Sequence, residues 1–138
     1  LLIMKIEKKM LAELEKNSRV TNLALAKKLG VSEGTVRNKV AKLVREGYIK
    51  RFTIDRSLKF GFGALVHLNN KPQVRSSKIA GELKKIKGIK KLYETEGDYD
   101  MVLEIFADYP EDFNEIIENI RDVEGILNTN SLTVLKID

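Results

Sequence analysis

No cysteine occurs among the 138 residues, which excludes disulfides and thiolate-ligated metals and fits a reducing, intracellular compartment. A single histidine removes most zinc sites and the His-centred catalytic triads. No apolar run approaches the ~18 residues that a bilayer crossing takes, and the opening Leu-Leu-Ile-Met is too short for a signal-peptide core. A soluble, cytoplasmic chain with no membrane partner is therefore expected, and leucine at position 1 suggests a missing or unusual start. Glutamine is nearly absent, with one residue, while 33% of the chain is charged, a balance that leans toward a hot-environment source. What remains is ordinary for a folded protein: 43% hydrophobic residues supply a packed core, and the length fits one domain or two very small ones.

The net charge of +5 conceals an asymmetry. Residues 1–60 hold 15 Lys and Arg against 6 Asp and Glu, or +9, and residues 61–138 hold 10 against 14, or −4. A basic front half and an acidic back half point to two units with different partners. The expected division is a DNA-binding domain at 1–47, a strand and linker at 48–61, and a second domain at 62–138.

In the basic half, Ile6, Met10, Leu11 and Leu14 form one helical stripe that should end near Asn17. Thr21 is placed to cap a short second helix that Gly30 stops, and Ser32 to cap a third, with Val36, Val40, Leu43 and Val44 as its stripe, closed by Gly47. Helix, short helix, glycine turn and Ser-capped helix is the helix-turn-helix pattern, whose last helix enters the major groove of DNA. Opposite the stripe stand Gly34, Thr35, Asn38, Lys42 and Arg45, flanked by Arg37 and Lys39. Asn pairs with adenine in a bidentate way, Arg and Lys with guanine or phosphate, and a Thr methyl with the thymine methyl. Base reading is assigned to Ser32, Gly34, Thr35 and Asn38, phosphate contact to Arg37, Lys39, Lys42 and Arg45, and Thr21, Asn22 and Glu33 complete the candidate DNA-binding set. Residues 48–61 alternate apolar and charged side chains and are expected to be extended.

The acidic half reads strand (Phe62 to Leu68), helix (Ile79, Leu83, Ile86), strand (Ile89 to Thr95), tight turn at Gly97 to Asp100, strand (Met101 to Ala107), helix from Pro110, and a last strand after Gly125. The order β-α-β-β-α-β is the ferredoxin-like split unit, so the expected class is α+β, a winged-type helix-turn-helix domain followed by a ferredoxin-like domain. Two helices cover one face of a four-stranded sheet; the other face needs a partner, and homodimerisation supplies it. Glu94, Glu96, Asp98, Asp100 and Glu104 crowd around Gly97. A catalytic carboxylate pair or a hard-cation site needs acids aimed at one point. These acids divide between a strand, a turn and the far face of the next strand, so neither catalysis nor a metal nor a cofactor is expected.

The segment "LALAKKLGVSEGTVRNKVAKLVREGYIKRF", together with "TEGDYDMVL" and "VEGILNTNSLTVLK" at their spacing, resembles the Lrp/AsnC (feast/famine) family of transcriptional regulators, archaeal members included. The resemblance covers nearly the whole chain. It implies that the back half is the family's RAM domain (regulation of amino-acid metabolism, ACT-like), whose Gly-x-x-Asp hairpin and Thr-x-Thr strand line an amino-acid effector site between dimers. Carried onto this sequence, it nominates Gly97, Asp98, Tyr99, Asp100, Thr129 and Ser131, with Ser131 standing where the family has its second Thr. The implied partners are double-stranded DNA with a pseudo-palindromic operator, an amino acid, and further copies of the chain as a homodimer and then a tetramer or octamer. The acids near the hairpin suggest a cationic effector, lysine or arginine. Other readings stay open at this point: an architectural DNA-binding protein with little sequence preference, or an ACT-like amino-acid-binding module without a specific operator.

Overall fold

The computed structural model describes residues 5–138; the opening Leu-Leu-Ile-Met, read above as too short for a signal peptide, lies outside the described residues. The chain divides into two compact units between Asp55 and Arg56.

The first unit holds α1 (Lys5–Lys16), α2 (Asn22–Leu29) and α3 (Glu33–Arg45). Each helix is too short to persist alone and is held by burial of its apolar stripe. Met10, Leu25, Ala26 and Val36 form the centre, with Leu14, Val20, Leu29, Val31 and Val40 packed around it. Local chemistry sets the helix ends. The Thr21 hydroxyl accepts from Ala24 N at 3.1 Å, and the Ser32 hydroxyl from Thr35 N at 3.1 Å, so both expected caps form. Between them Gly30 takes φ 69° in the left-handed region, and Val31 N reaches back to the Ala26 carbonyl at 3.0 Å, which fixes the turn from α2 into α3. Glu13 of α1 pairs with Lys28 of α2 and with its neighbour Lys16, and these two ammonium groups hold its carboxyl below the usual range.

Residues 48–61 contain no strand, contrary to the sequence expectation of a strand and linker there. Ile49 N donates to the Leu43 carbonyl at 3.1 Å, which ties the segment to the end of α3, but a strand needs a second strand to receive its alternate N–H groups, and the first unit offers none.

The second unit runs β1 (Phe62–Asn70), α4 (Ser76–Leu83), β2 (Ile89–Glu94), β3 (Met101–Ala107), α5 (Pro110–Arg121), β4 (Ile126–Val134). The strands form one antiparallel sheet in the order β2-β3-β1-β4, the arrangement expected of β-α-β-β-α-β. Period-two alternation assigns the faces. Ala64, Val66 and Leu68 of β1 and Met101, Leu103, Ile105 and Ala107 of β3 are buried against Ile79, Ala80 and Leu83 of α4 and Ile116, Ile117 and Ile120 of α5. Two differences from the sequence reading are local. β1 continues through Asn69 and Asn70, and α4 ends at Leu83, leaving Ile86 in the turn that follows.

The opposite face of the sheet carries Leu65, His67, Val102, Glu104 and Phe106, with Tyr93 and Leu132 across the ladders. Residues 56–61 fold back over part of it. The Arg56 guanidinium lies 4.1 Å above the Phe106 ring and 2.9 Å from Asp108. Leu58 sits where a Cβ on Gly63 would come within 3.0 Å of it.

Gly125, in the turn just before β4, has φ 100°, and a Cβ there would stand 2.7 Å from Val74 Cγ1 and 2.9 Å from Val74 Cβ. Gly125→Ala is therefore expected to destabilise the chain by ~2–4 kcal/mol through combined backbone strain and overpacking, read as a lowered urea midpoint. Gly97, also at positive φ but with nothing near its absent Cβ, should cost only the strain, ~1–2 kcal/mol on replacement by Ala. Equal losses at the two positions would contradict this packing.

Candidate functional site

The outward face of α3 presents Asn38, Ala41 and Arg45, all exposed, with Gly34 half-buried one turn before Asn38. Gly34 is not held by internal packing, since the nearest atom to a Cβ placed there is Arg37 Nη2 at 3.7 Å. Arg37 is paired with Glu33 at 3.0 Å on the surface, an exposed (i, i+4) bond that costs little to exchange for a phosphate. The Ser32 and Thr35 hydroxyls bond one another at 2.8 Å, and Ser32 also caps the helix. Ser32 is thereby engaged in holding the N-terminus that it was expected to help read DNA with. Thr21 is likewise engaged as the cap of α2.

Lys39 and Lys42 do not simply project outward. Their ammonium groups lie 3.5 and 3.7 Å from the Glu7 carboxylate of α1, which is only 2% exposed. Glu7 is the one charged residue in the core of the described chain, and the sequence reading passed over it. The signal was present: Glu7 stands three, four and seven residues before Met10, Leu11 and Leu14, in the middle of the apolar stripe of α1. A carboxylate at such a position requires a cation from a neighbouring helix.

In the second unit, the connection between β2 and β3 is wider than the expected turn at Gly97 to Asp100. Thr95 N donates to the Asp100 carbonyl at 2.9 Å and the Thr95 hydroxyl to the Tyr99 carbonyl at 2.7 Å, enclosing residues 96–99. Gly97 takes φ 137°, and Asp98 is exposed at the tip. Asp100 lies at the base of the hairpin. Its N–H donates to the Leu68 carbonyl at 3.0 Å, and its carboxylate accepts from Asn70 N at 2.8 Å. This carboxylate thus satisfies a backbone group where the β1–β4 register shifts between Asn69 and Asn70. Tyr99 turns to the open face of the sheet and stacks on His67, with ring centroids 4.5 Å apart. Thr129 pairs with Leu68 and Ser131 with Val66, so both belong to the helical face of β4. Met101, Leu68 and Thr129 lie abreast on β3, β1 and β4, and two strand spacings put β3 and β4 about 10 Å apart. Within one chain the hairpin and the Thr129–Ser131 strand therefore reach the same end of the sheet without converging in a single pocket.

The other acids do not gather either. Glu104 accepts from the Tyr93 hydroxyl at 3.3 Å on the open face, whereas Glu94 pairs across from Met101. Among the described residues no group of three His, Asp or Glu could hold a metal ion, and no helix is long and apolar enough to cross a membrane. A cleft of about 600 Å³, lined by Leu11, Leu14, Tyr48, Ile49, Phe52 and Ile54, lies in the first unit.

Comparison with known families joins the two units. Residues 5–50 match the family described as winged helix-turn-helix DNA-binding, and residues 63–137 match the Lrp/AsnC ligand binding domain. The chain belongs to the Lrp/AsnC family. It is 39% identical to the HTH-type transcriptional regulator LysM of Sulfurisphaera tokodaii, over 94% of this chain and 92% of that protein. It is 31% identical to the regulator FL11 of Pyrococcus furiosus, over 96% of this chain and 89% of that one. Among solved structures, AsnC of E. coli superposes with a TM-score of 0.71 at 25% identity, covering 99% of this chain and 95% of that chain. A transcriptional regulator from Neisseria meningitidis, solved as a complex with L-Met, has the same fold, with a TM-score of 0.74 at 19% identity over 98% and 91% of the two chains. This Lrp/AsnC-type chain is thus a transcriptional regulator with a helix-turn-helix DNA-binding domain and a ligand-binding domain.

The structural use of Asp100 separates it from Asp98. Asp100→Ala leaves Asn70 N without its charged acceptor and should destabilise the protein by ~1.5–3 kcal/mol in urea denaturation without any amino acid present. Asp98→Ala at the exposed tip should stay within ~0.5 kcal/mol of the parent. Indistinguishable midpoints for the two variants would remove Asp100 from this structural role.

Proposed function

We propose that this Lrp/AsnC-type regulator reads a pseudo-palindromic operator through α3, as a homodimer that assembles further into a tetramer or octamer. The observation that carries the reading is the outward face of α3, where Asn38 and Arg45 alternate with the small or absent side chains of Gly34 and Ala41 on a Ser-capped helix. A helix bare of bulk at its centre can enter the major groove closely, and Asn38 is the side chain whose geometry matches an adenine edge. Thr35 adds a methyl for thymine, while Arg37, Lys39, Lys42 and Arg45 supply phosphate contacts, with Thr21, Asn22, Ser32 and Glu33 at the helix ends beside them. The half-covered apolar face of the sheet, with Leu65, Val102, Phe106 and Leu132, is the surface that pairs two copies.

The second domain binds an amino acid at an interface between dimers. Gly97, Asp98 and Tyr99 on the hairpin of one subunit, with Asp100, Thr129 and Ser131, are the proposed contacts. Their failure to converge in one chain supports a site completed by another copy. A carboxylate such as Asp98 suits the α-ammonium, and hydroxyls and turn N–H groups suit the α-carboxylate. The acidic surroundings favour lysine or arginine. Effector binding then acts by linkage, favouring one assembly geometry and so changing how well spaced recognition helices fit the operator. Regulation proceeds by binding rather than by catalysis, in keeping with acids that point to different places.

Selection from random duplexes should return a short palindromic consensus, and Asn38→Ala should lose ~1–3 kcal/mol of discrimination at particular base pairs while binding random DNA as before. A flat selected pool would favour an architectural role. A thermal-shift panel of the amino acids should single out lysine or arginine, since a ligand at 100 times its Kd stabilises by ~2.7 kcal/mol. A shift with a neutral amino acid alone would exclude the cationic effector, and no shift with any would leave an ACT-like fold without an amino-acid ligand.

A further inference from the structure

We propose that Arg56 determines which half-site spacings the regulator accepts: by clamping the strap of residues 56–61 onto the sheet, it fixes where the connection to the helix-turn-helix unit leaves the second unit. This deepens the proposed reading and rests on a homodimer whose second units pair while its α3 helices read two half-sites. The segment 48–61 has the composition of a linker, yet the chain divides between Asp55 and Arg56, and residues 56–61 belong with the sheet.

The strap is held at its start, middle and end. At the start, the Arg56 guanidinium lies 4.1 Å above the Phe106 ring and 2.9 Å from the Asp108 carboxylate. In the middle, Leu58 reaches over Gly63, where a Cβ would stand 3.0 Å from Leu58 Cδ2. At the end, Gly61 takes φ 104° and approaches β3 so closely that a Cβ would stand 2.5 Å from the Ala107 carbonyl oxygen and 2.6 Å from Phe106 Cζ. Arg56 is thus the outermost anchor and the first residue of the second unit. Its side chain and that of Asp108 are 47% and 59% exposed, so their ion pair adds little to global stability.

The effect of the clamp is on reach. Freeing residues 56 and 57 lengthens the connection by up to ~7 Å, and freeing all of 56–61 by up to ~20 Å. Over two subunits these become ~14 Å and ~40 Å, against ~3.4 Å per base pair and ~34–36 Å per helical turn. A short, anchored connection between two binding modules admits one span, whereas a longer one admits several at lower effective concentration. Arg56 acts through the strap and not at the bases; it is a positioning residue.

Selection from random duplexes by the full-length chain, scored for the distance between the two halves of each recovered palindrome, tests this. Trypsin cleavage after Lys59 supplies a local readout. The parental pool should show one dominant spacing. Arg56→Ala, and Asp108→Ala, which leaves the positive charge in place, should recover the same half-site at spacings up to ~4 base pairs wider. Both should be cut after Lys59 several-fold faster than the parent. Arg56→Ala combined with Leu58→Ala should add spacings about one helical turn away. Affinity for a duplex with a single half-site should stay at the parental value in every variant, which separates positioning from a loss of folding or of a phosphate contact.

Variants with the parental spacing distribution would overturn the inference while leaving α3 as the reading helix. Unchanged cleavage after Lys59, an equal loss on single and paired half-sites, or a parental pool already broad in spacing would do the same. A parental pool without paired half-sites would overturn both.

Discussion

Two helices can cover one face of a four-stranded antiparallel sheet and no more. In the second unit, α4 and α5 meet the side of the sheet that carries Val66, Leu68, Met101, Leu103 and Ile105, and these residues are almost completely buried. The reverse side is left with Leu65, Val102, Phe106 and Leu132, and only residues 56–61 fold across part of it. A single copy of the chain is thus an incomplete solution to its own burial problem. Both the proposed dimer and the proposed effector site follow from that incompleteness, since Tyr99 turns toward the open face while Thr129 and Ser131 lie on the other.

The first unit meets the same problem at smaller scale. Three short helices enclose a core of a few side chains, and a core of that size contributes only several kcal/mol against the entropy of ordering the chain. Specific polar groups then carry much of the definition. Thr21 and Ser32 fix where α2 and α3 begin, Gly30 fixes the angle between them, and Glu7 ties α1 to the middle of α3. Lys39 and Lys42, proposed above as phosphate contacts, are also the α3 partners of Glu7 and so help to hold α3 against α1.

Much of this was legible in the order of residues. Periodicity located every helix and every strand of the second unit, because a stripe at 3.6 or 2 residues is what burial on one side imposes on a sequence. The caps at Thr21 and Ser32 and the stop at Gly30 were legible because their chemistry is local. Three features were not. The strand expected within residues 48–61 is absent because pairing is not a local property. Asp100, expected in the turn and nominated as an effector contact, is engaged with Asn70, thirty positions away in the chain. Lys39 and Lys42, assigned from sequence to phosphate contact, face a carboxylate from another helix.

By itself the sequence determined the two-unit division of charge, the helix-turn-helix frame, the β-α-β-β-α-β order and the family they resemble, all of which depend on spacing along the chain. Tertiary structure decided which charged groups are spent inside the molecule and which remain for a partner. Glu7, Asp100 and Tyr99 took their roles from groups that only the fold brings within hydrogen-bonding or stacking distance, and a carboxylate's or an aromatic ring's role is set by what lies a few ångströms from it rather than by its neighbours in sequence.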